Sequence, residues 1–116
     1  MRKLFLLLVA LTLTLAGCSS EPETKVVTLL AEDIEWSTNL IEAEVGQPIE
    51  LTITNTGALD HDFEIAELDL NILLAPGQSE TITFVVDEAG TYEYICNIPG
   101  HQDAGMVGEL VISGGD

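Results

Sequence analysis

From Lys25 onward, apolar and polar residues alternate with a period of two, and turn residues interrupt the pattern at short intervals. Successive side chains of a strand point to opposite faces, so this alternation describes strands with one buried and one wet face. Ile49, Leu51 and Ile53 point one way, whereas Glu50, Thr52 and Thr54 point the other, and Ile82, Phe84 and Val86 repeat the arrangement. The pattern predicts strands over Lys25–Ala31, Leu40–Glu44, Ile49–Asn55, Asp62–Glu67, Asp69–Leu74, Glu80–Val86, Thr91–Cys96 and Val107–Ile112. Turn chemistry separates them at Val45-Gly46-Gln47-Pro48, Asn55-Thr56-Gly57, Ala75-Pro76-Gly77-Gln78 and Asp87-Glu88-Ala89-Gly90. No segment keeps a helical period beyond a turn or two. The chain therefore reads as all-β, and seven or eight short strands over roughly 90 residues predict a two-sheet sandwich, since a single sheet would leave its apolar face wet. Trp36 is expected in the core or at its rim.

Residues before Lys25 follow a different logic. Arg2 and Lys3 precede an apolar run from Leu4 to Leu15, which is too short for a membrane span and has the form of an export signal. It ends in Leu15-Ala16-Gly17-Cys18, which resembles the lipobox of bacterial and archaeal lipoproteins, where the cysteine is lipidated and becomes the first residue after cleavage. The expected organisation is a signal peptide over 1–17, a lipidated flexible tether over 18–24 and a single folded domain over 25–116. That would place the domain outside the cytoplasm, anchored to a membrane by its lipid.

Two cysteines in an exported chain invite a disulfide, but lipidation of Cys18 would leave Cys96 without a partner. An unpaired thiol outside the cell is open to oxidation unless it is buried or occupied by a metal. The net charge of −17 is the other extreme, with Lys25 the sole Lys or Arg after the leader against 20 acidic residues. A chain so acidic is excluded as a nucleic-acid binder. The acids are scattered rather than clustered, which suits a solvated surface, in a saline habitat or elsewhere; a field that steers the domain toward a basic redox partner is the functional alternative.

The chemistry concentrates in Tyr94-Ile95-Cys96-Asn97-Ile98-Pro99-Gly100-His101-Gln102-Asp103-Ala104-Gly105-Met106. Alternation sets Tyr92, Tyr94 and Cys96 on one face of their strand, so Cys96 is expected to point between the sheets. Asn97, Pro99 and Gly100 then stop the strand, and His101 and Met106 can return to the same point before Val107 starts the next one. Thiolate and thioether are soft donors that suit reduced copper, and imidazole accepts both copper oxidation states. A fourth ligand must come from elsewhere, and His61 is the only other histidine. It opens a segment in which Phe63 and Ile65 share its face, and a sandwich can bring that strand beside the one ending at Cys96.

These residues and their flanks resemble the cupredoxins, the small blue copper proteins, over nearly all of the domain. The spacing Cys-x4-His-x4-Met is similar to that of auracyanin and rusticyanin, and Pro99-Gly100, Gly105-Met106 and the following Val107–Ile112 also fit. The resemblance implies a Greek-key β-sandwich holding one copper ion in a mononuclear type 1 site. His61, Cys96 and His101 would be the equatorial ligands and Met106 the weak axial one. Asp62 and Asn97, next to two of the ligands, would stand around them. Asp62 departs from the family, where many members have Asn or Ser; an ionised carboxylate there would favour the oxidised site and lower the potential, whereas a protonated one could donate a hydrogen bond.

The function so implied is one-electron transfer between membrane-associated redox proteins such as cytochromes or oxidases, without an enzymatic reaction. Docking would occur near His101, with Leu59, Ile98, Pro99 and Ala104 as candidate patch residues. The rival is a membrane-anchored copper-binding or delivery protein. Extra Met and His ligands, often found in such proteins, are missing here, since Met1 and Met106 are the only methionines. Neither the histidines for a substrate-binding second metal nor a nearby second cysteine for a binuclear centre are present.

Overall fold

The computed structural model describes residue 17 and residues 21–114. The expected signal segment and the lipidation site Cys18 lie outside the described residues, except for Gly17. Among the described residues nine strands run in chain order: β1 Lys25–Glu32, β2 Glu35–Trp36, β3 Leu40–Glu44, β4 Ile49–Asn55, β5 His61–Ile65, β6 Leu70–Leu74, β7 Ser79–Phe84, β8 Gly90–Ile95 and β9 Val107–Ser113. A single 3-10 turn, Ala66–Leu68, links β5 to β6 and ends on Asp69 in the left-handed region. Among the described residues no helix is long and apolar enough to cross a membrane.

The strands form two sheets, one of order β2-β1-β4-β7 and one of order β3-β9-β8-β5-β6. The chain crosses between the sheets after β2, β3, β4, β6 and β7; β1 lies parallel to β4 and β3 parallel to β9, while the remaining pairs are antiparallel. The expected sandwich is present, with one strand more than anticipated. That extra strand, β2, has two residues, too few for alternation to register in sequence.

Burial follows the period of two. In β4, Ile49, Leu51, Ile53 and Asn55 are buried, while Thr52 and Thr54 on the outer face pair their hydroxyls with Thr81 and Ser79 of β7 at 2.8 Å. Opposite, Ile41, Phe63, Ile65, Tyr94, Leu110 and Ile112 supply the facing layer of the core. Trp36 belongs to this core rather than its rim, set edge-on to Phe63 and Tyr94 at centroid separations of 5.8 and 5.9 Å. Its indole N–H is buried without an acceptor, so its contribution is packing area. Tyr94 lies flat against Gly108, its partner across β8 and β9, and donates its hydroxyl to Thr38 O at 2.7 Å. This anchors the two strands that bracket the ligand-bearing loop.

Candidate metal centre

Strands β5 and β8 are antiparallel neighbours in register at Glu64 and Ile95, so the start of β5 and the end of β8 meet at one end of the sheet. His61 is the first residue of β5 and Cys96 the residue after β8. The loop from Asn97 to Gly105 coils back on itself through main-chain bonds, from His101 N to Ile98 O, Ala104 N to Gly100 O and Gly105 N to Gln102 O, each 3.0 or 3.1 Å. Gly100 and Gly105 adopt φ of 85° and 103°, which side-chain-bearing residues rarely take, and this permits the tight coil. Met106 is clamped on both sides, its N–H donating to His101 O and its carbonyl accepting the Cys96 N–H, both at 3.1 Å. Its side chain is fully buried.

Three donor atoms converge. Cys96 Sγ lies 3.4 Å from His101 Nδ1 and 3.8 Å from His61 Nδ1, and the two Nδ1 atoms are 3.2 Å apart. A triangle with these sides encloses a point about 2 Å from each corner, close to ordinary metal–nitrogen and metal–thiolate bond lengths. The donors fit a soft to borderline ion of trigonal preference, which copper is. His61 and Cys96 are completely buried, while His101 retains 7% exposure, so the loop histidine is the ligand nearest solvent. The sequence-predicted residues His61, Cys96 and His101 are thus brought together, with Met106 bonded through its backbone to two members of the set.

Burial pushes the Cys96 thiol above its ordinary pKa, and backbone N–H groups of Asp62 and Ile98 offset part of that rise. Metal loading must therefore displace a thiol proton. Asp62 N–H points at Sγ across 3.5 Å. The Asp62 side chain is buried. Oδ1 accepts the Asn97 N–H, and Oδ2 accepts from Asn71 Nδ2 at 3.2 Å. Each oxygen is thus held by an N–H donor of a neighbouring segment. Asn97 reaches this network through its backbone, and the residue is exposed.

Two residues that the sequence did not single out hold the other side. Asn55 is completely buried, donates to Leu59 O and Leu74 O at 2.8 and 2.9 Å, and accepts the Gly57 N–H, so it organises the turn before His61. Its Asn-x-Gly context marked a turn, but not its inward direction. Asp33 accepts from His61 Nε2 at 2.9 Å across a separation of 28 residues, and nothing local in the chain signals that contact. Of the candidate patch residues, Leu59, Pro99 and Ala104 are exposed and Ile98 is half-buried.

Comparison with known proteins agrees with this geometry. Residues 5–112 match the cupredoxin-like domain family. A copper-resistant cuproprotein, CopI of Rubrivivax gelatinosus, is 24% identical over 116 residues, covering 83% of this chain and 70% of its own. Reduced auracyanin from the photosynthetic bacterium Roseiflexus castenholzii superposes with a TM-score of 0.68 at 22% identity, covering 78% of this chain and 98% of its own. Auracyanin A, a blue copper protein of Chloroflexus aurantiacus, superposes at 0.65 with 22% identity, covering 78% and 99%. At such identities the superpositions establish the fold. With the family match over almost the whole chain, the buried His-Cys-His triangle at the end of β5 and β8 identifies this protein as a member of the cupredoxin-like family.

Proposed function

We propose that the protein is a one-electron carrier with a mononuclear type 1 copper site. The observation that carries this reading is the convergence of Cys96 Sγ and the two Nδ1 atoms within 3.8 Å of one another in a buried, hydrogen-bonded frame. When bound, copper supplies a one-electron couple. Cys96, His61 and His101, with Met106 as a weaker donor, would hold it. The chain's own task is to keep these donors from moving between oxidation states. The loop bonds around His101 and Met106, the Asp62 N–H on Sγ and the Tyr94 to Thr38 bond serve that end. His101, the ligand nearest solvent, in a loop whose Pro99 and Ala104 are exposed, is the proposed exit for the electron. The proposed partners are membrane-associated redox proteins. Lipidation at Cys18 would keep the domain beside them outside the cytoplasm.

A second reading, copper binding and delivery, is favoured by one observation, the similarity to a copper-resistant cuproprotein. Titrating copper salt into the purified domain separates the two. A carrier turns intensely blue, shows reversible voltammetry and keeps its metal against a chelator. A delivery protein forms a colourless complex and yields copper readily to the chelator.

A further inference from the structure

His61 has two ring nitrogens, and they face opposite surroundings. Nδ1 looks toward Cys96 Sγ and His101 Nδ1, while Nε2 is 2.9 Å from Asp33 Oδ1. A carboxylate only accepts, so Nε2 carries the proton in that contact and a neutral ring is left with its lone pair on Nδ1. Asp33 is itself held in place. Its Oδ2 accepts the Ala58 N–H at 2.8 Å and its Oδ1 also accepts the Leu59 N–H at 3.3 Å. Room for this arrangement comes from Gly57, where a Cβ would lie 2.1 Å from Asp33 Oδ1. A complete frame thus aims one carboxylate at the outer nitrogen of a completely buried histidine.

We propose that Asp33 is a positioning residue of the metal centre, which fixes His61 as the Nε2–H tautomer with Nδ1 directed at the metal and biases the couple toward its oxidised, more positive state. The electrostatic half rests on the copper-site reading above; the tautomer half does not. A hydrogen-bonded carboxylate raises the basicity of a histidine ligand and orients its ring, and a fixed negative charge on the far side favours the more positive metal. The acceptor comes from the segment just after β1, in the opposite sheet, so the bond also couples the two sheets at the site.

The test has two arms. Long-range 15N NMR of histidine in the metal-free protein at pH 8 should find His61 protonated at Nε2 and bare at Nδ1, and Asp33→Ala should give a mixture of tautomers. A wild-type ring protonated at Nδ1, or an unchanged tautomer in the variant, overturns the positioning role. In the second arm, the copper-loaded Asp33→Asn variant should keep its blue absorption while its midpoint rises by about 59 mV, a tenfold change in a one-electron equilibrium. A clamp that only braces the 57–59 turn would lower the melting temperature and leave the midpoint where it was, and that result refutes the electrostatic role. If the wild type itself fails to turn blue, the carrier reading falls, while the metal-free NMR still decides the positioning role of Asp33.

Discussion

Replacing Asp62 by Asn removes one negative charge beside the thiolate with almost no change in shape. The structure makes the substitution clean. Asn97 N–H keeps an oxygen acceptor, and Asn71, which would then face an amide, already donates to Glu64 at 2.8 Å. The stability cost should stay below about 1 kcal/mol, the net worth of one ordinary hydrogen bond. The electrostatic effect is larger. Asp62 N lies 3.5 Å from Sγ. Placing its charge ~7 Å from the metal at an effective dielectric of ~20 gives an interaction of about 2 kcal/mol. For a one-electron couple, 59 mV corresponds to about 1.4 kcal/mol, so the midpoint should rise by roughly 100 mV. Protein-film voltammetry of wild type and Asp62→Asn at one pH and salt concentration measures this. Glu109→Gln, on the outer face of β9 where the side chain is exposed, serves as the control for net charge and should move the midpoint far less, because exposed charges are screened. A midpoint that is unchanged or lowered in Asp62→Asn would refute the argument that a charge at position 62 holds the site toward its oxidised form.

If the proposed type 1 site forms, Cys96→Ser should abolish its blue colour, since the thiolate would be the donor responsible for it; optical titration with copper checks this, and a blue serine variant would exclude Cys96 as ligand. Gly108→Ala would place a Cβ 2.2 Å from Tyr94 Cζ, so the ring or the strand must shift, with an expected loss of about 1–3 kcal/mol visible as a lowered melting temperature. Burial raises the Tyr94 hydroxyl to about 12 from 10.0. The folded state therefore holds this proton more tightly than the unfolded chain, and stability present below pH 10 falls as pH rises toward 12 by an amount on the order of 2 kcal/mol. The raised Cys96 thiol acts in the same direction in the metal-free protein. Denaturant melts of that form between pH 8 and 12 would report the slope, and Tyr94→Phe should flatten it.

Much of this protein was legible in its sequence because the information is local. A period of two states which face of each strand is buried, and β4 realises it with Ile49, Leu51 and Ile53 inward and its threonines outward. Cys96, His101 and Met106 lie within one loop, where proximity costs little chain entropy. His61 was found by scarcity, as the only other histidine. The position of Asp62 beside it was also plain, but not the direction of its carboxylate, which depends on Asn71 in β6 and on a backbone N–H of the loop.

What the chain could not disclose are contacts between residues distant in sequence and unremarkable in composition. One acid among 20, Asp33, reaches His61 only because the sandwich brings the segment after β1 over the start of β5, with Gly57 leaving the space. Trp36 was ambiguous between rim and core until β2, too short to show a period, set it against Phe63 and Tyr94. By itself the sequence determined the strand alternation and which residues offer soft or borderline donors, since periodicity and ligand softness are properties of the residues. Tertiary structure alone decided which acid faces the histidine, which way Asp62 points and how closely the donors converge, because each of these depends on how the two sheets are packed together.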